Sequence, residues 1–272
     1  MNKFVKAVVA TGLLAAVGTP AMAAIDIGDN GELVLTMLDS TASRSTILGL
    51  NTNLANVLPS ALAGQSGTVL SFDVTAQVTA LLASGATLAN LQYNVTAIDG
   101  VASSASQSRF GRKIAVTGAP NSELLTLNNN GLQTITNFAG QTEVGVNAGN
   151  GDGVVVDPAS TFYADSPSWG ATLGGVFPQA SGAFGSELGF FYYASSDAYS
   201  GTETVINYGS RVVATREAYE GVWSLSGSNG TYSLTYTAAA APVPLPAAAW
   251  LLLSGLTGLG VIGRRRREQA AA

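Results

Sequence analysis

The chain contains no histidine and no cysteine, and its charged residues make up only 11% of the sequence. Each shortage excludes chemistry. Without histidine there is no Ser-His-Asp or Cys-His nucleophilic machinery, no imidazole acid-base catalysis and no His-ligated zinc. Without cysteine no disulfide forms, even in an oxidising compartment, so stability rests on core size or bound cations. Two kinds of catalysis survive this filter: paired-carboxylate glycoside hydrolysis, and a serine-lysine arrangement built on Lys113, the sole lysine beyond the N-terminal segment.

Both ends of the chain carry addresses. Lys3 and Lys6 form a basic start, Ala7 to Val17 an apolar run, and Pro20-Ala21-Met22-Ala23 a small-x-small site. That order describes a signal peptide over residues 1–23, cut by signal peptidase after Ala23, with Ala21 and Ala23 as the recognition pair. At the other end, Val243-Pro244-Leu245-Pro246 precedes an uncharged run from Ala247 to Ile262, then Gly263 and Arg264-Arg265-Arg266-Arg267. Pro244 and Pro246 lack amide donors, so the motif stays extended. The apolar run makes roughly 24 Å of helix at about 1.5 Å per residue. Flanking residues, snorkelling arginines or local bilayer thinning bring it to membrane thickness. The arginines are expected to remain cytoplasmic.

This tripartite tail, residues 243–267, closely resembles the PEP-CTERM sorting tag of Gram-negative bacteria in its Val-Pro-Leu-Pro-Ala variant. The resemblance implies an exosortase that recognises and removes the tag. It also implies an inner-membrane-anchored precursor, and release to the cell surface or extracellular matrix alongside exopolysaccharide. It says nothing about the chain between the tags. The alternative is an ordinary C-terminal transmembrane anchor that is never cut.

Between the signals lies an exported body, residues 24–237, and a short alanine-rich linker, residues 238–242. Together they span about 219 residues, enough for one large domain or two small ones. Removing Lys3, Lys6 and the four C-terminal arginines from twelve basic residues leaves six. Removing Glu268 from seventeen acids leaves sixteen, a net charge of about −10. An acidic surface argues against nucleic acid and against adsorption to anionic lipid.

The body reads as mainly β. Strands are expected at Glu32 to Leu38, Val69 to Val74, Leu91 to Ile98, Ile114 to Thr117, Leu188 to Ala194, Thr204 to Tyr208, Arg211 to Thr215, Gly221 to Ser226 and Thr231 to Thr237. Leu91, Tyr93, Val95 and Ala97 share one face of their strand. The Gly227-Ser228-Asn229-Gly230 stretch turns the last two strands into a hairpin. Two helices are expected, at Asn51 to Leu62 and at Thr75 to Ala83. Glycine- and asparagine-rich stretches at 121–153 and 157–186 read as long loops. The expected architecture is an antiparallel β-sandwich or jelly roll with one or two short helices, and in the precursor a C-terminal transmembrane helix.

Candidate sites in the body are sparse. Asn150, Asp152 and Asp157 supply oxygen ligands around tight glycine turns, the composition of a weak calcium loop. An EF-hand alignment with Gly153 as the turn glycine places Ala148 at the first ligand position and Ala159 at the last, so that pattern fails. The favoured reading is an Asn-Gly turn, with no cofactor and calcium as the alternative. Asp26 to Gly31 is a second, incomplete loop of this kind. Glu187, Asp197, Glu203, Glu217 and Glu220 are scattered carboxylates with no spacing that singles out a catalytic pair. Trp169, Tyr192, Tyr199 and Trp223 are the aromatic nominees for stacking on a sugar ring, though aromatics on a sheet more often pack its core. The expectation is a non-enzymatic structural or adhesive protein of the biofilm matrix. A carbohydrate-binding module and a carboxylate-dependent glycan hydrolase are the alternatives.

Overall fold

The computed structural model describes residues 25–26, 30–99, 113–120, 132, 146, 151–160, 163–164, 180–195 and 215–238. The described elements are β1 (Glu32–Asp39), β2 (Arg44–Asn53), a 3-10 turn (Leu54–Val57), α1 (Pro59–Leu62), β3 (Gly67–Asp73), α2 (Thr75–Ala83), β4 (Gln92–Asp99), β5 (Lys113–Gly118), β6 (Gly182–Ala183), β7 (Glu187–Ala194), β8 (Thr215–Ser228) and β9 (Thr231–Ala238). The chain is mainly β and every strand pairing is antiparallel.

In place of two facing sheets, one sheet runs β2-β1-β4-β5-β7-β8-β9-β3, with two-residue β6 added to β4. It curls into a half-barrel. Leu33, Leu35 and Met37 at one end of the strand order share a core with Trp223, Leu234 and Tyr236 at the other. The edges β2 and β3 do not pair with each other. Helix α2 contacts both β2 and β9, closing the open side of the curl. Its buried Val78 and Leu81 face the core. Asp73 Oδ1 accepts the Thr75 amide at 2.9 Å, satisfying one of the free donors at the start of the helix.

Burial divides the sheet in two. Strands β1, β4 and β5 are buried at nearly every position, on both faces, whereas β9 alternates buried and part-exposed residues. The face of β1, β4 and β5 away from the main core carries buried Val34, Ile98, Ile114 and Val116. The long connection between β5 and β6 contributes buried Leu132, Val146, Tyr163 and Ala164. Part of that connection also guards the β2 edge. Ser45 and Val156 exchange two backbone hydrogen bonds, at 3.0 and 2.8 Å, and the Gly153 amide donates to the Ile47 carbonyl.

Several expected elements stand, with their predicted faces. Leu91, Tyr93, Val95 and Ala97 all enter the core. Trp223 and Leu225 point inward and their neighbours Val222 and Ser224 do not. The hairpin turns at Asn229 and Gly230, with φ of 54° and 80°. Two consecutive positive φ values suit a tight turn between right-twisted strands, and glycine takes the second without steric cost.

Other expectations change. Strand β2 went unread because its positions 45–50 are all buried, so no alternation marks it. The helix expected over 51–62 is instead the end of β2, a 3-10 turn and one turn of α1. Asn51 has a φ of 51°, and Pro59 stands at the start of α1, the one helical position where its missing amide costs nothing. Strand β8 begins at Thr215, well before the expected Gly221. Thr204 to Tyr208 and most of 211–215 lie outside the described residues.

Candidate functional site

The feature of the fold that most resembles a built site is a bulge in β8. Phe191 pairs with Ala218 and Gly189 with Val222, so Tyr219, Glu220 and Gly221 lie opposite the single residue Phe190. Extra residues on one strand bend it and re-aim its side chains. Tyr219 turns inward: its hydroxyl donates to the Val57 carbonyl at 2.6 Å, and its ring centroid lies 4.4 Å from that of Phe190. Glu217 and Glu220 stay exposed. Between this bulge and the α1 region lies a half-open cleft of about 160 Å³, lined among others by Pro59, Leu62, Gln65, Glu217, Glu220 and Tyr236.

Pockets that enclose a drug-sized ligand hold roughly 300–1,000 Å³. This cleft is smaller and seats one small polar group. Its chemistry is acceptor-rich: two carboxylates, the Gln65 amide and two phenols. Burial, with Glu220 close by, pushes the Tyr236 phenol up to about 12. Burial likewise raises Tyr219, helped by Tyr192, Tyr236 and Glu217. Both phenols therefore remain protonated near neutral pH and act as hydrogen-bond donors rather than nucleophiles.

The described residues include only part of the sequence candidates. Trp223 is fully buried. It stacks on Phe72 at 6.3 Å, meets Phe190 edge-on at 5.6 Å and packs on Tyr236 at 5.3 Å. It presents no face to a sugar, because its inward strand position commits the ring to the core. Tyr192 is half-buried beside that core, with Asp99 and Glu217 near enough to join burial in raising its phenol. Trp169 and Tyr199 lie outside the described residues, so the described part of the chain assembles no row of exposed aromatics.

Of the calcium candidates, two are described, and both accept backbone amides. Asp152 Oδ1 accepts the Gly49 amide at 2.8 Å, and Asp157 Oδ1 accepts the Ala159 amide at 3.0 Å within its own turn. Asn150 lies outside the described residues. Among those residues no group of three or more His, Cys, Asp or Glu side chains is arranged to hold a metal ion. The lone lysine of the serine-lysine alternative, Lys113, donates to Asp99 Oδ2 at 3.0 Å in an ion pair. Of the five scattered acids, Glu217 and Glu220 share the cleft. Glu187 lies further along the same pair of strands, at the start of β7 opposite Ser224, and does not line the cleft. Asp197 and Glu203 lie outside the described residues, as do the signal peptidase site and the whole of 243–267.

One polar cluster was invisible in the sequence. Glu32, buried at the start of β1, accepts the Asp26 amide at 3.1 Å through Oε2 and the Asn51 amide through Oε1. Asp152 arrives beside it from 103 residues beyond Gly49, and burial together with the Glu32 charge raises its carboxyl above the ordinary value. These carboxylates occupy outward amides of β2. Gly49 leaves room for the carboxylate, since a Cβ there would stand 2.8 Å from Glu32 Oε1 and push that side chain aside. No local motif announces this contact, because it joins segments distant in sequence.

The fold and these contacts define a mainly β protein whose antiparallel sheet curls into a half-barrel. Comparison with protein-family models, curated proteins and solved structures returns no match for this chain.

Proposed function

We propose that this chain is the precursor of an exported, exosortase-processed protein that acts without catalysis at the cell surface or in the exopolysaccharide matrix of a Gram-negative bacterium. The observation that carries the reading is the ordered tail: Val243-Pro244-Leu245-Pro246, the apolar run to Ile262 and the arginines Arg264, Arg265, Arg266 and Arg267. In this reading the apolar run is a transmembrane helix that holds the precursor in the inner membrane. Signal peptidase cuts after Ala23, exosortase acts near Pro246, and the acidic body leaves the membrane. The last described strand ends at Ala238, so only residues 239–242 separate the folded body from the motif. Among the described residues no helix is long and apolar enough to cross a membrane.

Intact-mass analysis of the surface or secreted form tests the proposal. The expected product lacks the segment from Ala247 to Arg267. A mature form that keeps the four arginines and fractionates with the inner membrane refutes it. Replacing both Pro244 and Pro246 with alanine is expected to leave an uncut precursor, because the recognition segment is then free to join the helix.

The β8 cleft favours one second reading, a weak binder of hydroxyl-rich ligands such as the matrix polysaccharide. Glu217, Glu220 and Gln65 there offer acceptors to sugar hydroxyls. Retarded migration of the protein in a polysaccharide gel, lost in Glu217→Ala with Glu220→Ala, supports this reading; unchanged migration removes it.

A further inference from the structure

The two edges of the sheet are treated differently. On β2 the outward backbone is occupied: Ser45 pairs with Val156, Gly153 donates to Ile47, Asp152 takes the Gly49 amide and Glu32 takes the Asn51 amide. Among the described residues nothing comparable covers the β3 edge. Among the described residues β3 pairs with β9 alone, and its positions 67, 68, 71 and 73 are exposed. Beyond a bulge at Val69 it carries little of the usual protection. Over Gly67–Asp73 there is no lysine, arginine or proline, and its one charge, Asp73, stands at the end. Leu70 and Phe72 share one side of the strand and are only partly covered by the core.

We propose that the β3 edge docks a second copy of this chain, edge to edge and antiparallel, about a two-fold axis at Ser71. A bulge at Val69 interrupts the β3–β9 register and limits the regular ladder to Leu70–Asp73. An antiparallel two-fold pairing must place one residue opposite itself. With Ser71 on the axis, Leu70 of each copy faces Phe72 of the other, an aliphatic–aromatic pair that covers the half-exposed side chains of both. Asp73 then faces Val69 and not a second carboxylate, so the register brings no like charges together. Placing Phe72 on the axis instead would set Leu70 against Val74, which is already buried in the core. Because β2 is occupied, β3 is the one open edge among the described residues, and the association closes at two copies instead of growing into a filament.

The test uses the full chain in mild detergent, by sedimentation velocity over a range of concentrations. The expected result is a concentration-dependent dimer. Ser71→Lys sets two ammonium groups opposite each other on the axis, at an exposed position that leaves the core alone, and weakens the dimer by roughly fivefold or more. Ala76→Lys, on the exposed side of α2, leaves it unchanged. Since the chain has no native cysteine, Ser71→Cys is expected to give a single disulfide-linked dimer under mild oxidation, and Ala76→Cys is not. A chain that stays monomeric at all concentrations overturns the proposal, as does a dimer indifferent to Ser71→Lys. Open-ended polymers also overturn it, because they need a second free edge.

Discussion

At the scale of single residues, Trp223 shows how a side chain suited to binding becomes structural. An indole on a strand can stack on sugar or pack a core, and only the direction of the strand face separates the two. Here that face meets Phe72, Phe190 and Tyr236, while Tyr93 donates its hydroxyl to the Trp223 carbonyl at 3.0 Å. Trp223→Ala is expected to cost about 3–5 kcal/mol, read from chemical denaturation. The indole Nε1 is buried without an acceptor, so Trp223→Phe discards a donor that contributes no hydrogen bond and costs much less. Equal losses in the two variants would place the binding energy in that nitrogen and contradict the geometry.

Tyr93, Tyr219 and Tyr236 give the core a pH limit. Burial is the largest cause of the raised phenol in all three, and the Tyr236 phenol reaches about 12 from an ordinary value of 10.0. Between those two values the unfolded chain has released its proton and the folded chain has not. Stability therefore holds below about pH 10 and falls as pH rises beyond it. Melts across the alkaline range are expected to show this decline, with tyrosinate absorbance growing in step with unfolding. Tyrosinate that forms while the fold remains intact would mean that these phenols are open to water.

At the scale of elements, α2 and the β8 bulge govern the shape. A nine-stranded sheet that curls without closing leaves core exposed along its open side, and α2 lies there against both β2 and β9. Leu81 is fully buried beneath it, whereas Leu82 is only half-covered. Leu81→Ala is expected to cost about 2–5 kcal/mol and Leu82→Ala clearly less, since the cavity term applies where neighbours cannot collapse. Reversal of that order in denaturant melts would show α2 rotated about its axis. The bulge has a different consequence. It turns Tyr219 inward and keeps Glu217 and Glu220 outside, beside the polar recess between α1 and β8.

At the scale of the whole molecule, the acidic body gains no disulfide, and five of its described carboxylates are engaged by backbone amides. Glu32, Asp39, Asp73, Asp152 and Asp157 each accept at least one main-chain N–H. A structural calcium site at 100-fold saturation would contribute about 2.7 kcal/mol, or about 5–10 °C in Tm for a body of this size. We expect Tm in millimolar calcium to match that in chelator. A rise on that scale would mean that Asp152 or Asp157 leaves its amide for a metal.

What the sequence determined alone was local or periodic. The β class, the tight Asn229-Gly230 turn, the inward set Leu91, Tyr93, Val95 and Ala97 and the helix Thr75–Ala83 all follow from alternation, turn chemistry or helical spacing, which neighbouring residues carry. The two addresses proposed for the chain ends are likewise read from linear signals. The tertiary structure decided whatever depends on distant partners. It made one curled sheet of the expected two, because β3 pairs with β9 across most of the chain. It made a strand of Arg44–Asn53, whose two buried faces erase the alternation that marks a half-exposed strand. It brought Glu32 to Asp152 and the α1 region to Glu217 and Glu220 of β8, and it hid Trp223. Side-chain periodicity records which way a residue points within its own element; what it points at depends on where the rest of the chain has gone.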